Sequence, residues 1–469
     1  LIVGVFSTKL GWFGDYFLMP DRNFGESPPP IAVEPGVRDL ASLHFNQCGH
    51  FDGWRDTVAR LATKSSYCMF AIMMAIASVL LSKVLRGNDE GFICNFAGGT
   101  SRGKTTALIV GKSVSGGPKK LISWGMTKRK LCEQLAAASD TLLAIDDLDT
   151  EASRSDFGKF IADVTHLLAS GSSMVYSNVV KAQLPDLHWS AIALTCAKDT
   201  VENLSRDNGY SRSPSDRVRL FDIPVPDPAE GGIWDRMDNG DSGSELTIQM
   251  QKHVSSNHGT ALIRWLDICV GNPKILEDTK DLIAWYVDKR QINASAGIEQ
   301  RIAAKFGLIF AAGILAAENG IVPWHRDDIE SVVVELHGAA LATVYDEDDE
   351  VESGLKRLQA RYEDQDACTE FDEGCLPSFP DERAAANFIR TGEDTDFFFI
   401  EHRAFENTFS NKTIAAAALK FLKSQEVIFT AKSNRSTSQE WIRIGGKKLK
   451  KRYLRLHLAR FGDVIQQYR

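Results

Sequence analysis

Phe92-Ile93-Cys94-Asn95-Phe96-Ala97-Gly98-Gly99-Thr100-Ser101-Arg102-Gly103-Lys104-Thr105-Thr106 is the stretch that decides the fold. Phe92–Phe96 reads as a short buried strand, a Gly-rich turn follows, and Thr105–Val114 reads as a helix. Gly98 to Thr105 fits the pattern GxxxxGK[ST] in full, in the strand–loop–helix context the pattern requires. The chemistry demands these residue types. Glycines let backbone N–H groups turn inward around phosphate oxygens, and the following helix points its positive end at that charge. The expected cradle is therefore Gly98, Gly99, Thr100, Ser101, Arg102 and Gly103, with Thr106 beside it. Lys104 would neutralise the β- and γ-phosphates, and Thr105 would offer a hydroxyl to Mg²⁺. A chance match in a Gly-rich turn is the alternative, and it leaves the flanking strand and helix unexplained. ATP and Mg²⁺ are the expected cofactors.

Working outward, Leu142-Leu143-Ala144-Ile145-Asp146-Asp147 is an apolar strand ending in two carboxylates. Burying such a strand end is costly unless something uses the charges. Asp146 is expected to hold Mg²⁺, and Asp147 to polarise the attacking water. The plainer reading is a helix cap with solvated acids, using Asp149 and Thr150. Ile192-Ala193-Leu194-Thr195 is a third core strand with a polar end, which makes Thr195 the candidate contact to the γ-phosphate or the water. Arg217 and Arg219 read as the start of a further strand, Val218–Val225. They would point to opposite faces, so one of them is expected to reach a neighbouring subunit's site; exposed salt bridges are the alternative. Arg301 opens a helix rich in small apolar residues and is a candidate second nucleotide sensor, or a plain surface arginine.

The chain has 469 residues, 43% hydrophobic and 25% charged, which allows two or three domains with a large core. A net charge of −8 excludes a wholly basic nucleic-acid binder but not a local basic patch. The eight cysteines form no CxxC pair and no zinc spacing, so a reducing cytoplasm is expected. The chain begins with Leu and shows no signal-peptide pattern. The most apolar run, Tyr67–Leu81, falls short of a membrane span and is expected to be a buried helix; no membrane partner is expected. Residues 1–40 suggest short strands and turns, 54–85 a helix, 227–245 a loop, and 246–341 a helical region. Acidic runs follow at Asp346–Glu352 and Glu363–Glu373, and the second reads as a mobile, solvated linker.

These pieces, in this order, resemble the bacterial domain-of-unknown-function 927 family. The likeness is carried by Gly53-Trp54-Arg55, the phosphate loop, Asp140 to Asp147, Arg219-Leu220-Phe221-Asp222-Ile223-Pro224, His258-Gly259-Thr260-Ala261, and Arg301-Ile302-Ala303 running to Gly313. That family looks like hexameric AAA+ helicases of mobile elements, near the superfamily-three and minichromosome-maintenance types. The resemblance implies an α/β P-loop NTPase (AAA+-like) core with a helical lid and a C-terminal winged-helix domain. It also implies a homo-hexameric ring serving DNA replication of a mobile genetic element. Two departures stand out. Asp147 replaces the family's usual Glu, which would hold water less well and slow hydrolysis. Thr195-Cys196-Ala197-Lys198 replaces the usual turn after the sensor strand.

In the C-terminal unit, Arg383–Ile389 reads as a helix, Phe397–Ile400 as a strand, Lys412–Ser424 as a helix, and Val427–Thr430 and Trp441–Ile444 as two strands. This is a winged-helix pattern. Arg443, Lys447, Lys448, Lys450, Lys451, Arg452, Arg455 and Arg460 follow without an interrupting acid, and Trp441 and Tyr453 interleave. Lys447, Lys448, Lys450, Lys451 and Arg452 are the candidate phosphate contacts; a solvated basic face is the alternative. The expected organisation is an entry module (1–85), an ATPase core with lid (86–345), an acidic linker (346–382) and a winged helix (383–469). The leading function is ATP-driven translocation on single-stranded or forked DNA. A pore loop would lie between Asp156 and Trp189, with Lys159 and Lys181 available. A non-translocating ATP-driven switch or loader, and a small-molecule kinase, are the other readings.

Overall fold

A computed structural model describes residues 5–27, 31–85, 91–118, 121–173, 186–210, 212–290, 297–344, 347–364, 368–393, 395–409, 412–429 and 437–466. The chain divides into two compact units, Leu1–Val344 and Tyr345–Arg469.

The first unit opens with short strands, as the Gly- and Pro-broken sequence suggests. β1 (Val5–Ser7) pairs in parallel with β5 (Ile31–Val33), and β2 (Gly11–Phe13), β3 (Tyr16–Leu18) and β4 (Asn23–Phe24) form an antiparallel meander. Strands this short need an anchor, and buried Asp140 supplies it. Its carboxylate accepts from the Lys9 ammonium at 2.8 Å, Trp12 N at 3.0 Å and Ser82 Oγ at 2.6 Å.

The core sheet contains β6 (Phe92–Ala97), β7 (Ile122–Ser123), β8 (Leu142–Asp146), β9 (Ile192–Ala197) and β10 (Leu220–Pro224). All pairings are parallel, in the order β10-β6-β9-β8-β7. A parallel sheet covered on both faces needs strands apolar on both sides, which is why β6, β8 and β9 are apolar throughout their middles except for Asn95 and Thr195. The helices Lys104–Lys112 and Ser66–Ser78 pack together on the sheet. Every residue of Ser66–Ser78 is buried, so the apolar run is an internal helix, apolar all round because it has no solvent face. It lies against the helix Gly297–Glu318. One stretch of the latter, Ile298–Glu318, is long and apolar enough to cross a membrane by length and composition, but it is mostly buried within the unit.

The helical region comprises Gly243–Ser256, Thr260–Cys269, Pro273–Lys289, Gly297–Glu318 and Arg326–Val344. His258 and Gly259 join it to the core. Gly259 N donates to Ser113 O at 2.8 Å, at the end of the helix Lys104–Lys112. Gly259 has φ +73°, and its close approach to Asn46 leaves no room for a Cβ.

The second unit holds a six-stranded sheet of β11 (Thr369–Asp372), β12 (Ser378–Phe379), β13 (Asn387–Thr391), β14 (Phe397–Ile400), β15 (Thr437–Ile444) and β16 (Lys447–His457). Its order is β11-β13-β14-β16-β15-β12. The helices Glu347–Glu363, Lys412–Ser424 and Leu458–Gln466 bury one face of it. Three expectations are corrected here. The acidic stretch is not a linker, because Glu347–Glu363 is a helix with Val351, Leu355 and Leu358 in the unit's core, and Thr369–Asp372 is an edge strand. Helical spacing of those apolar residues outweighs the acids around them. Arg383–Ile389 is not a helix: only Ala384–Ala386 makes a 3₁₀ turn, and Asn387 begins β13. Val427–Thr430 forms no extended strand among the described residues, although Ile428 makes a single bridge to Leu456. Trp441–Ile444 belongs to the longer β15, and the basic run folds back on it as β16.

Candidate active site

At the end of β6 the chain turns at once into the 98–103 loop, and the helix Lys104–Lys112 follows. The turn uses positive φ at Gly98 (+156°), Ser101 (+62°) and Gly103 (+85°). At Gly103 a Cβ would also lie 2.7 Å from Ile233 Cγ1, so both backbone and space require glycine. The segment after β10 holds the loop from behind. Ile233 N donates to Arg102 O at 2.9 Å, and the Arg102 guanidinium donates to Val225 O and to Asp227. Arg102 thus props the loop through its own chain.

Lys104 is half-buried and curls over the loop, its ammonium donating to Gly98 O and, at 2.6 Å, to Gly99 O. Burial pulls its pKa down, while neighbouring Cys196, Asp149 and Asp146 act against that shift. Thr105 Oγ1 donates to Asp146 Oδ1 at 3.3 Å. The same oxygen accepts from Asp147 N at 3.0 Å and Cys196 Sγ at 3.1 Å. The Thr105 hydroxyl and the Asp146 carboxylate are therefore adjacent hard oxygen donors, which suits Mg²⁺ completed by phosphate and water oxygens. Among the described residues, no group of three or more His, Cys, Asp or Glu side chains could hold a metal.

Asp147 is exposed and held at φ +60°. Its carboxyl is shifted upward, first by desolvation and then by the carboxylates of Asp149 and Asp146. Asp149 ties the ends of β8 and β9 together, its carboxylate accepting from Lys198 N at 2.9 and 3.0 Å.

The structure separates Thr195 from this cluster. Side chains alternate along a strand, and Cys196 is the β9 residue that reaches Asp146. Thr195 lies on the other face, fully buried, with its hydroxyl accepting from Trp124 Nε1 at 2.8 Å. Burial pushes the Cys196 thiol up to about 12, so it serves Asp146 as a neutral donor. Cys196 and Asp149 are site residues missed in the sequence. A third acid after Asp146-Asp147 was the available signal for Asp149, and the apolar setting of Cys196 concealed its role.

The arginines are not at a strand start. Pro214–Arg219 is a short helix, and β10 begins only at Leu220. Ser213 and Asp216 form a reciprocal capping box with Pro214 in the first turn; Ser-Pro-Ser-Asp is the sequence signature of such a start. Arg217 is buried and donates to both oxygens of Glu202, at 3.1 and 3.3 Å. Arg219 is half-buried and donates to Ser215 O at 2.8 Å. Arg301 is exposed in the second turn of the helix Gly297–Glu318. Lys159 is exposed on the helix Phe157–Ser170, whereas Lys181 lies outside the described residues.

Beside the loop opens a cavity of about 610 Å³ lined by Ser101, Arg102, Gly103, Trp234, Met237 and Ile248, among others. Trp234 is held in its wall by Nε1 donating to Thr247 Oγ1 at 2.9 Å. In the second unit, Lys447, Lys448, Lys450 and Arg452 are exposed on β16, and Lys451 pairs with Glu401 at 2.6 Å.

Residues 4–180 match the family described as "Domain of unknown function (DUF927)". No curated protein matches the chain. Among solved structures, one described as "SCCmec type IV Cch - active helicase" is similar, with a TM-score of 0.56 and 14% identity, over 98% of this chain and 80% of that one. At that identity the likeness is one of fold.

Proposed function

We propose that this chain is an ATPase that drives movement along DNA, a helicase or translocase of the AAA+ kind working as a homo-hexameric ring for a mobile element. The observation that carries the reading is the meeting of Thr105 and Asp146 at 3.3 Å. It comes from two strands, β6 and β8, separated by an inserted β9. The strand that leads into the phosphate loop and the strand that ends in the acids thus leave a gap at their carboxyl ends, where ligands bind in open parallel sheets.

In this reading the 98–103 backbone N–H groups and Lys104 hold the triphosphate. Lys104 leaves the Gly98 and Gly99 carbonyls for phosphate oxygens. Thr105 and Asp146 hold Mg²⁺, which when bound offsets phosphate charge. Asp147 orients the attacking water, and Cys196 and Asp149 keep the two acids placed. The cavity beside Gly103 takes the base, with Trp234 and Met237 supplying apolar area. Arg219 is the better candidate to act on a neighbouring subunit's nucleotide, because it is partly exposed whereas Arg217 is buried. Arg301 stays a candidate sensor. Thr195, facing Trp124, would act through the sheet rather than by touching phosphate. Lys448, Lys450 and Arg452, which share one face of β16, would meet DNA, and Lys447 and Lys451 face the other way. The solved helicase's description supports action on nucleic acid in general terms.

One observation favours a second reading, an ATP-driven switch or loader that does not translocate. The catalytic acid is the short Asp147, held at an uncommon φ, and slow hydrolysis suits a switch. Steady-state ATPase measured with and without single-stranded DNA, with Lys104→Ala as control, tests the proposal. Strong stimulation lost in the variant supports a motor, and strand separation with a directional bias separates motor from switch. Turnover indifferent to DNA overturns the DNA-motor reading.

A further inference from the structure

The hairpin β15–β16 sorts the C-terminal basic run onto two faces. The antiparallel register pairs Gln439 with Arg452, Trp441 with Lys450, and Arg443 with Lys448, and directly paired residues share a face. All six of these side chains are exposed. The other face is occupied. Ile442 and Tyr453 are buried with Phe379 and Phe388, Glu440 pairs with Arg390 at 3.1 Å, and Lys451 pairs with Glu401 at 2.6 Å. Lys447, opposite Ile444, belongs to that second face at its tip.

On the first face Trp441 is 50% exposed, one of the few large apolar side chains left open to solvent. Lys448 and Lys450 place their ammonium groups 5.0 and 5.8 Å from its ring centroid. Among the described residues, Arg443, Lys448, Lys450 and Arg452 have no carboxylate partner, unlike Lys451 on the second face. Lys448, Lys450 and Arg452 recur at every second residue, about 6.8 Å apart along an antiparallel strand. The result is an open indole set in a ladder of unpaired cations.

We infer that this face is a platform for single-stranded nucleic acid. Trp441 stacks on a base, and Arg443, Lys448, Lys450 and Arg452 take the phosphates on either side. Charge selects a polyanion. The indole selects a single strand, because a base inside a duplex already has both π-faces covered by its neighbours, whereas an unpaired base offers one. The inference deepens the proposed action on DNA by naming a surface and a mode, but the binding itself needs neither nucleotide nor Lys104.

Fluorescence anisotropy of labelled oligo-dT with the full chain, without nucleotide, tests it. Trp441→Ala should weaken binding about 5- to 100-fold, the loss of one stacked base, and Trp441→Phe should recover most of it. Lys450→Glu should weaken binding and flatten its salt dependence, while Lys447→Glu on the second face should change it by less than about twofold. Unchanged binding in Trp441→Ala overturns the platform, as does equal loss in Lys447→Glu and Lys450→Glu. Tighter binding of blunt duplex that ignores Trp441 would instead make the hairpin a duplex wing, and preference for anionic vesicles would make it a lipid contact. If wild-type ATPase ignores DNA while Trp441→Ala still loses oligo-dT, the motor reading fails and the platform stands.

Discussion

Asp146 receives hydrogen bonds from Thr105, Asp147 N and Cys196, all on Oδ1, so the helix Lys104–Lys112, β9 and its own following peptide fix its orientation. Preorganisation of this kind is what a metal-holding carboxylate needs. Polar residues on the opposite sheet face do other work. Asn95 donates to Asp222 at 2.6 Å, and Asp222 also accepts from Val201 N at 3.0 Å, so these bonds tie β6, β10 and the helix Val201–Asp207 together. Two histidines make a residue-scale prediction. His44, bonded to Gln134 at 2.7 Å, and His337, bonded to the Tyr286 hydroxyl at 3.0 Å, are buried. Burial lowers each from 6.5 to about 4. Below pH 6.5 the unfolded chain therefore takes up protons that the folded chain refuses. Their contribution is complete above pH 6.5 and is lost as pH falls toward 4, each histidine costing up to about 1.4 kcal/mol per pH unit. Thermal melts at pH 7.5 and 5 should show this drop. His337→Phe, which keeps the stack on Phe306, should show a shallower one. An unchanged pH slope in that variant would mean His337 does not titrate as described.

The short helix Pro214–Arg219 shows what was and was not legible in the sequence at the scale of elements. Strands β6, β8 and β9 could be read because burial on both faces leaves an apolar run that ends where the chemistry begins. The two-residue β7 is too short to leave a pattern. The arginines read as strand because the apolar Val218–Val225 run begins inside the helix, whose start is marked only by the capping residues Ser213 and Asp216. The Glu347–Glu363 helix is hidden behind its acids, and only the spacing of Val351, Leu355 and Leu358 reveals it. Placing Arg217 on a helix changes its expected role. With Arg212 it closes a buried charge network, Arg212 lying 3.7 Å from Glu202 and 3.8 Å from Asp222. Arg217→Ala leaves Glu202 buried and under-paired, which should cost about 3–5 kcal/mol and lower the melting temperature. Arg219→Ala should lower the melting temperature less than Arg217→Ala does, because Arg219 is the more exposed of the two, and should reduce turnover by about 10³-fold if it acts in trans. Melting curves and turnover numbers for the two variants check the division. Loss of turnover in a fully stable Arg217→Ala would reverse it.

At the scale of the whole molecule, the two proposed functions fall on different units. The 98–103 loop, Asp146, Asp147, Cys196 and the cavity at Trp234 all belong to Leu1–Val344. The Trp441 face belongs to Tyr345–Arg469, which has its own core built from Leu355, Leu358, Phe398, Leu456 and Phe461. A unit that buries its own apolar surface does not need its neighbour to fold. A chain ended after Val344 should therefore keep the nucleotide site. Saturating nucleotide at about 100 times its Kd should raise the stability of that shortened chain by about 2.7 kcal/mol, and by as much for the same unit in the full chain. The shortened chain should also lose most oligo-dT binding, and its ATPase should no longer respond to DNA. Calorimetry with and without nucleotide, run beside the anisotropy titration, reads both. Retained DNA stimulation would put the principal DNA contact in the first unit, as a pore loop between Asp156 and Trp189 would require. Lost nucleotide stabilisation would mean the site depends on the second unit, against the separation of cores that motivates the experiment.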